Sequence, residues 1–187
     1  MTLTVETGSG ILGADSYVAA VDCLAYATAR GLTFGSDATA EAALRRATAY
    51  IDNTYRLRFS GYRTFRRAQS LEWPRSLSFY FTPDYGGHNP YFVDPRAIYP
   101  FDLIPPNVIP PEIITATCEA AIREFATPGA LLPDLDRGGA VASLKAGPVE
   151  VKYAPGADPN TLFQVIDAAL SALIGVKSAY TSRAARR

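Results

Sequence analysis

The chain has 187 residues, of which 48% are hydrophobic and 19% are charged, values typical of a globular protein and not of a disordered or fibrous one. Its 18 Lys and Arg residues balance 18 Asp and Glu residues, so no overall field attracts nucleic acid or anionic lipid. The most apolar stretch contains Gln164 and Asp167 and is too short to span a bilayer, and the N-terminus has no secretory leader pattern. We expect a soluble, cytoplasmic product with no membrane partner.

Two amphipathic helices are predicted in the first third of the chain. Asp15 and Ser16 are suited to accept a backbone N–H at a helix start, and the apolar spacing ends at Gly31. Asp37 precedes a second helix over residues 38–55. The predicted buried faces contain Tyr17, Val18, Val21, Leu24, Ala25 and Thr28 in the first helix, and Leu44, Ala47, Ile51 and Thr54 in the second.

Arginines and aromatic residues are interleaved in residues 56–75, where six arginines accompany a single acid, Glu72. Such side chains can grip phosphates and stack on bases. Alternatively, they form a solvated edge that pairs with acids of a neighbouring subunit or with backbone carbonyls. The neutrality of the chain favours the second interpretation. The residues concerned are Arg56, Arg58, Arg63, Arg66, Arg67 and Arg75, with Tyr62, Phe65 and Trp73.

Residues 76–109 show neither helical nor strand periodicity and are predicted to form a long loop. Eight of the chain's 11 Tyr and 9 Phe residues lie in its first part, and so many aromatic side chains are costly to leave in water. They either cover the core of their own domain or form a partner surface on a backbone stiffened by prolines, and we favour the partner surface. The predicted contact residues are Phe79, Tyr80, Phe81, Tyr85, Tyr91 and Phe92.

A third helix is predicted to begin near Pro111, because proline suits the first helical position. Residues 140–153 alternate in polarity around Gly147-Pro148 and predict a β-hairpin. A last helix follows Asp158 and ends at Gly175.

The predicted fold is therefore mainly α: a small bundle of about four helices with one β-hairpin arm and a long Pro/aromatic loop. We assign residues 1–175 to a single domain and residues 176–187 to a basic tail.

The sequence contains no pattern typical of catalysis or of metal binding. His88 is the only histidine and has no accompanying nucleophile pattern. Cys23 and Cys118 are predicted to be buried free thiols, and they do not form a zinc-binding pattern. Residues 7–13, TGSGILG, lack the spacing of a phosphate-binding loop. We therefore expect no enzyme activity, no cofactor and no metal.

Several stretches together resemble one phage family. They include ETGSGILGADSYVAAVDCLAYATARG, EAALRRATAYIDNTY, RRAQSLEWPRS, IPPEIITATCEAAIREF and LLPDLDRGGAVASLKAGPVEVKYA. In this order they are similar to the tailed-phage head–tail adaptor, or connector, proteins that are often labelled DnaT-like single-stranded-DNA-binding proteins. The most specific elements are residues 71–75, LEWPR, and residues 131–139. Residues 76–109 depart from the family pattern, because they are longer and richer in aromatic residues.

The resemblance implies a helical bundle with a β-hairpin that assembles as a dodecameric ring beneath the phage portal protein. Such a ring extends the channel for genomic double-stranded DNA, which passes without sequence-specific binding. The ring also presents a platform for the next head-completion or tail-terminator protein. The implied location is the head–tail interface of the virion, and the host cytoplasm before assembly.

Two further expectations concern partners. The basic tail is predicted to dock on the portal through Lys177, Tyr180, Arg183, Arg186 and Arg187. The alternative function is a single-stranded-DNA-binding accessory protein that uses the segment 56–75, with Tyr62, Arg66, Arg67 and Trp73 as the contact residues.

Overall fold

The computed structural model describes residues 2–81, 103–131, 143–146, 149–152 and 163–174. Within them the chain forms four helices: α1 (Ala20–Thr28), α2 (Ala38–Tyr55), α3 (Pro111–Ala126) and α4 (Gln164–Ala169). The predicted mainly α fold with about four helices is thus confirmed. None of the helices in this part of the chain has the length and apolar character that crossing a membrane would require.

The core lies where α2 packs on α3, and α3 also contacts α4 and α1. Leu44, Ala47 and Ile51 of α2 are buried as predicted, and Ile113 of α3 lies in the same cluster. At the end of α2 the prediction was one residue off, because Tyr55 is buried and Thr54 is exposed. The start of α2 follows the prediction, since the Asp37 carboxylate accepts hydrogen bonds from the N–H groups of Thr39 and Ala40, both at 3.1 Å.

The start of α1 was predicted incorrectly. The helix begins at Ala20, and Ala19 at its N-cap makes no side-chain capping bond. Asp15 instead pairs with Arg45 (3.2 Å), and Ser16 pairs with Val5 in a parallel bridge. The helix is therefore shifted, so that Cys23 and Ala27 face the core while Val21 is exposed. Cys23 and Cys118 are both buried free thiols, as predicted.

Three two-stranded antiparallel sheets complete the described part of the chain. Strand β1 (Tyr62–Arg63) pairs with β2 (Arg75–Ser76), and β3 (Ser78–Phe79) pairs with β4 (Leu103–Ile104). The predicted hairpin consists of β5 (Ser143–Ala146) and β6 (Val149–Lys152). The prediction that residues 76–109 contain no strand was wrong at both ends of that segment. Strand β3 lies at its start and β4 near its end, and the two strands pair with each other. Residues 82–102 lie outside the described residues.

Two buried glutamates organise loops by accepting backbone hydrogen bonds. Glu6, which is 2% exposed, accepts from the N–H groups of Gly8 (2.8 Å), Gly10 (2.9 Å) and Ile11 (2.7 Å). The glycine-rich loop at residues 7–13 therefore does surround an anion, but this anion is a carboxylate of the same chain.

Glu124 plays the same part at the end of α3. Its carboxylate accepts from the N–H groups of Gly129 (3.0 Å) and Leu131 (2.9 Å) and from Arg46 Nε (2.7 Å). Burial by itself raises the pKa of Glu124, but these backbone N–H groups and the Arg46 guanidinium outweigh it and lower the pKa below its usual 4.5. The ionised carboxylate thus fixes the chain that leaves α3.

We predict that Glu124→Gln lowers the free energy of unfolding by about 1–3 kcal/mol at neutral pH. The N–H groups of Gly129 and Leu131 and the Arg46 guanidinium would then face a neutral amide instead of a carboxylate. Since the folded pKa is depressed, this stabilisation is present above pH 4.5 and is lost as the pH falls through the folded pKa. Urea denaturation across this pH range measures both effects.

Glu41→Gln is the matched control, since Glu41 forms a half-buried i,i+4 pair with Arg45 at 3.5 Å and accepts no backbone N–H from the described residues, so it should contribute only about 0.3–0.5 kcal/mol. Equal effects of the two substitutions, or a Glu124 effect that grows below pH 4.5, would contradict this account.

Candidate interaction surface

The LEWPR element of residues 71–75 is an internal anchor. The buried guanidinium of Arg75 donates to the carbonyls of Ser60 and Gly61, both at 2.8 Å, and to Glu72 Oε2 at 2.8 Å. Burial lowers the pKa of Arg75, and the Glu72 carboxylate opposes that shift. The Trp73 side chain is 0% exposed and packs edge-on against Phe59.

A second set of hydrogen bonds ties this element to the helices. Asp52 of α2 accepts from Tyr17 Oη (2.5 Å) and from the N–H of Glu72 (3.0 Å), and Tyr17 Oη in turn accepts from the N–H of Trp73 (3.1 Å). Burial raises the pKa of Asp52 to about 7, although the bonds from Tyr17 and Glu72 lower it in part. The anchor therefore fixes residues 60–76 against α2.

Trp73 and Arg75 were predicted as contact residues, and the structure corrects this. Both side chains are buried because they form the anchor, so neither is available to a partner or to DNA in this fold. Arg63 is half-buried: it donates to the carbonyl of Arg66 (2.7 Å) and lies 3.8 Å from Glu72. Arg58 pairs with Asp167 (3.4 Å). For these arginines the structure supports pairing with acids and backbone carbonyls, in their own chain.

The other arginines of the segment point outward. Arg56, Arg66 and Arg67 are exposed, and the guanidinium carbon of Arg66 lies 4.5 Å from the centre of the Tyr62 ring. Tyr62 and Phe65 remain 41% and 42% exposed. Arg66 and Tyr62 thus stack on each other and both keep exposed surface that a partner can contact.

Four short segments form one surface around Tyr62: residues 7–13, 62–67, 76–77 and 103–108. We call it the Tyr62 face. Gly13 N–H donates to Ser70 Oγ (2.7 Å), and Thr64 Oγ1 donates to the carbonyl of Pro106 (3.0 Å). Gly10 has φ +71°, and a side chain there would overlap the Phe65 ring. The glycine-rich loop is therefore packed directly against the arginine segment.

The Tyr62 face contains most of the large apolar side chains that the described part of the chain leaves exposed to water. Of its ten exposed large hydrophobic residues, six belong to this face. The face contains three arginines and no acidic residue. Exposed apolar side chains on neighbouring segments are typical of interaction sites. The six residues are Leu12, Tyr62, Phe65, Leu77, Leu103 and Val108.

A cleft of about 380 Å³ opens in this face, and we call it the Tyr62 cleft. Two residues at this surface, Arg66 (φ 56°) and Leu77 (φ 54°), are the non-glycine residues with positive φ in the described part of the chain. This conformation is unfavourable for a leucine that is 67% exposed, and such strain concentrates at functional sites. The lining residues are Tyr62, Ser76, Leu77, Leu103, Ile104, Pro105 and Pro106.

The first aromatic residues of the predicted loop pack on their own domain. Phe79, Tyr80 and Phe81 are half-buried, Tyr80 packs against the core, and the Phe81 N–H donates to the carbonyl of Ala172 (2.7 Å). The packing of Tyr80 agrees with the core-covering alternative, whereas Phe79 and Phe81 pack on each other, with 5.0 Å between their ring centres. The other predicted contact residues lie outside the described residues, as does His88; they are Tyr85, Tyr91, Phe92, Lys177, Tyr180, Arg183, Arg186 and Arg187.

The sequence interpretation missed the apolar half of the Tyr62 face. Leu12, Leu77 and Leu103 lie in segments too short for any periodicity, and only their proximity to glycines and prolines hints at surface positions. Among the described residues no group of three or more His, Cys, Asp or Glu side chains is arranged to hold a metal ion.

We predict that Arg75→Ala lowers the free energy of unfolding by about 3–5 kcal/mol, because it removes a buried cation that donates to Glu72 and to the carbonyls of Ser60 and Gly61. Arg67→Ala, on the exposed side of the same segment, should change it by less than about 0.5 kcal/mol. Thermal or urea unfolding of the two variants tests the division into anchor and face. A small effect of Arg75→Ala on the free energy of unfolding would show that the anchor does not stabilise the fold.

The chain matches a known family. A family model described as "Putative DnaT-like ssDNA binding protein" matches residues 1–85 and 95–187. Residues 86–94, inside the predicted long loop, fall outside this match. No curated protein matches the chain, and no solved structure matches it.

Proposed function

The chain belongs to the DnaT-like family, and we propose that it acts as a structural connector without catalysis. In this proposal it forms a dodecameric ring beneath the portal of a tailed phage, extends the DNA channel and joins the head to the next head-completion or tail-terminator protein. It then resides in the virion, and in the host cytoplasm before assembly. The observation that carries the proposal is the Tyr62 face, which leaves six large hydrophobic side chains in water on one side of the domain.

The architecture is compatible with a ring. Subunits related by a cyclic operator contact each other through two different surfaces, so each subunit needs an acceptor and a donor. The Tyr62 face is a rigid apolar acceptor because the Arg75 anchor lies behind it. In the described part of the chain, the hairpin of β5 and β6 pairs with no third strand, and in this proposal a neighbouring subunit contacts one of its edges.

The charge balance also supports a channel protein. Equal numbers of acidic and basic residues give no strong attraction to phosphates. DNA that must slide through a ring should not be held tightly. Non-specific affinity for DNA comes almost wholly from phosphate neutralisation, so a neutral chain suits passage better than retention.

A second candidate function is single-stranded-DNA binding, which the family's printed description favours. Tyr62 and Phe65 offer partly exposed rings for base stacking, and Arg66 and Arg67 are exposed beside them. The limitation is charge: Arg58, Arg63 and Arg75 have acidic partners in their own chain. With two arginines on phosphates, the logarithm of the binding constant should fall by only about 1.4 per decade of salt.

Sedimentation of the pure protein with a labelled single-stranded oligonucleotide separates the two functions. At rising protein concentration and near-physiological salt, we expect ring-sized species that leave the oligonucleotide behind. A small species that carries the oligonucleotide along would instead support the second candidate and contradict the connector.

If the oligonucleotide sediments with the protein, paired substitutions identify the surface that binds it. Loss of oligonucleotide binding in Arg66→Ala/Arg67→Ala, with unchanged binding in Arg30→Ala, would assign the DNA contact to the Tyr62 face. Arg30 is a matched control because its guanidinium carbon also lies over an aromatic ring, 3.5 Å from the centre of Tyr26, at the end of α1.

A further inference from the structure

We propose that the Tyr62 cleft binds residues 82–102 of a second copy of this chain. This inference rests on the connector function proposed above and specifies its subunit contact. The cleft is the acceptor, and the aromatic and proline-rich segment of the neighbouring subunit is the donor. The contact is heterologous, as a ring requires.

Charge complementarity is the first argument. The Tyr62 face contains Arg63, Arg66 and Arg67 and no acidic residue, whereas segment 82–102 contains three aspartates and one arginine. Within the described part of the chain, Arg66 and Arg67 form no salt bridge. The basic tail, residues 176–187, carries the same sign of charge as the face and is excluded as the occupant on this ground.

The composition of the segment is the second argument. Its 21 residues include four prolines and five aromatic residues. Proline-rich segments keep an extended conformation that loses little entropy on docking in aromatic-lined grooves. The cleft offers matching surface, with the Tyr62 ring on one side and Pro105 and Pro106 on another.

The position of the segment is the third argument. Strands β3 and β4 join its two ends beside the cleft, since Leu103 belongs both to β4 and to the cleft lining. A chain of 21 residues whose two ends lie together can extend at most roughly 35 Å from them, at about 3.3 Å per residue out and back. The segment can therefore extend well away from its own domain, as a contact with a neighbouring copy requires.

Two full-length variants test the contact by complementation. Leu77→Asp places a charge at the cleft, and the fold should survive because Leu77 is exposed and aspartate tolerates positive φ better than leucine. Asp84→Lys/Asp94→Lys reverses the charge of the segment. We expect each variant alone to self-associate at least about tenfold more weakly than the wild type in sedimentation equilibrium.

In an equimolar mixture of the two variants, the cleft of Asp84→Lys/Asp94→Lys is intact and the segment of Leu77→Asp is intact. We therefore expect dimers in the mixture and no larger species, because each dimer presents only an altered cleft and an altered segment to further copies. Leu57→Asp is the matched control: Leu57 is 93% exposed and does not line the cleft, so this variant should associate like the wild type.

Three outcomes would overturn the inference. They are unchanged association of Leu77→Asp, a mixture without dimers, and a wild-type chain that stays monomeric at every soluble concentration. Rings that still form from Leu77→Asp would overturn the docking and leave the connector standing. Dimers in the mixture without rings in the wild type would support the docking and contradict the ring.

Discussion

The guanidinium of Arg75 is the constraint on which the interaction surface depends. This buried group holds the carbonyls of Ser60 and Gly61 and the carboxylate of Glu72 in one cluster. A buried cation is stable only when its donors are paired, so these positions become fixed relative to one another on folding. Asp52 and Tyr17 connect the same cluster to the helices. The exposed residues of the Tyr62 face thus lie on the outer side of this anchor, which fixes the backbone that carries them.

This anchor explains why the arginine segment was only partly predictable. Composition places six arginines in residues 56–75, but it cannot tell which of them are buried, because an arginine can face either way in a segment without periodicity. The structure divides them: Arg75 is in the interior, Arg58 and Arg63 are paired within the chain, and Arg66 is exposed. The LEWPR element, which carried much of the family resemblance, is therefore a folding element.

The helices show where sequence patterns suffice and where they fail. The long helices α2 and α3 were predicted well, because over 16 to 18 residues the apolar periodicity outweighs local exceptions. The start of α1 failed, because Asp15 is used by Arg45, whose position only the tertiary fold reveals. Strands β1 to β4 have two residues each and cannot show a period at all. The Tyr62 cleft lies between such strands, which is why it escaped prediction.

The distribution of acids explains how a neutral chain presents a basic, apolar surface. Glu6 and Glu124 are committed to loop amides, and Asp52 and Glu72 to the anchor. A partner at the Tyr62 face therefore meets arginines and apolar side chains, while the nearest acids are already engaged: Glu72 pairs with Arg75, and Glu6 accepts from the loop amides. A nucleic acid strand and an acidic aromatic polypeptide both fit that chemistry, but a strand brings a phosphate with every base. Two exposed arginines can neutralise two carboxylates fully and a phosphate backbone only in small part, so the charge count favours the polypeptide.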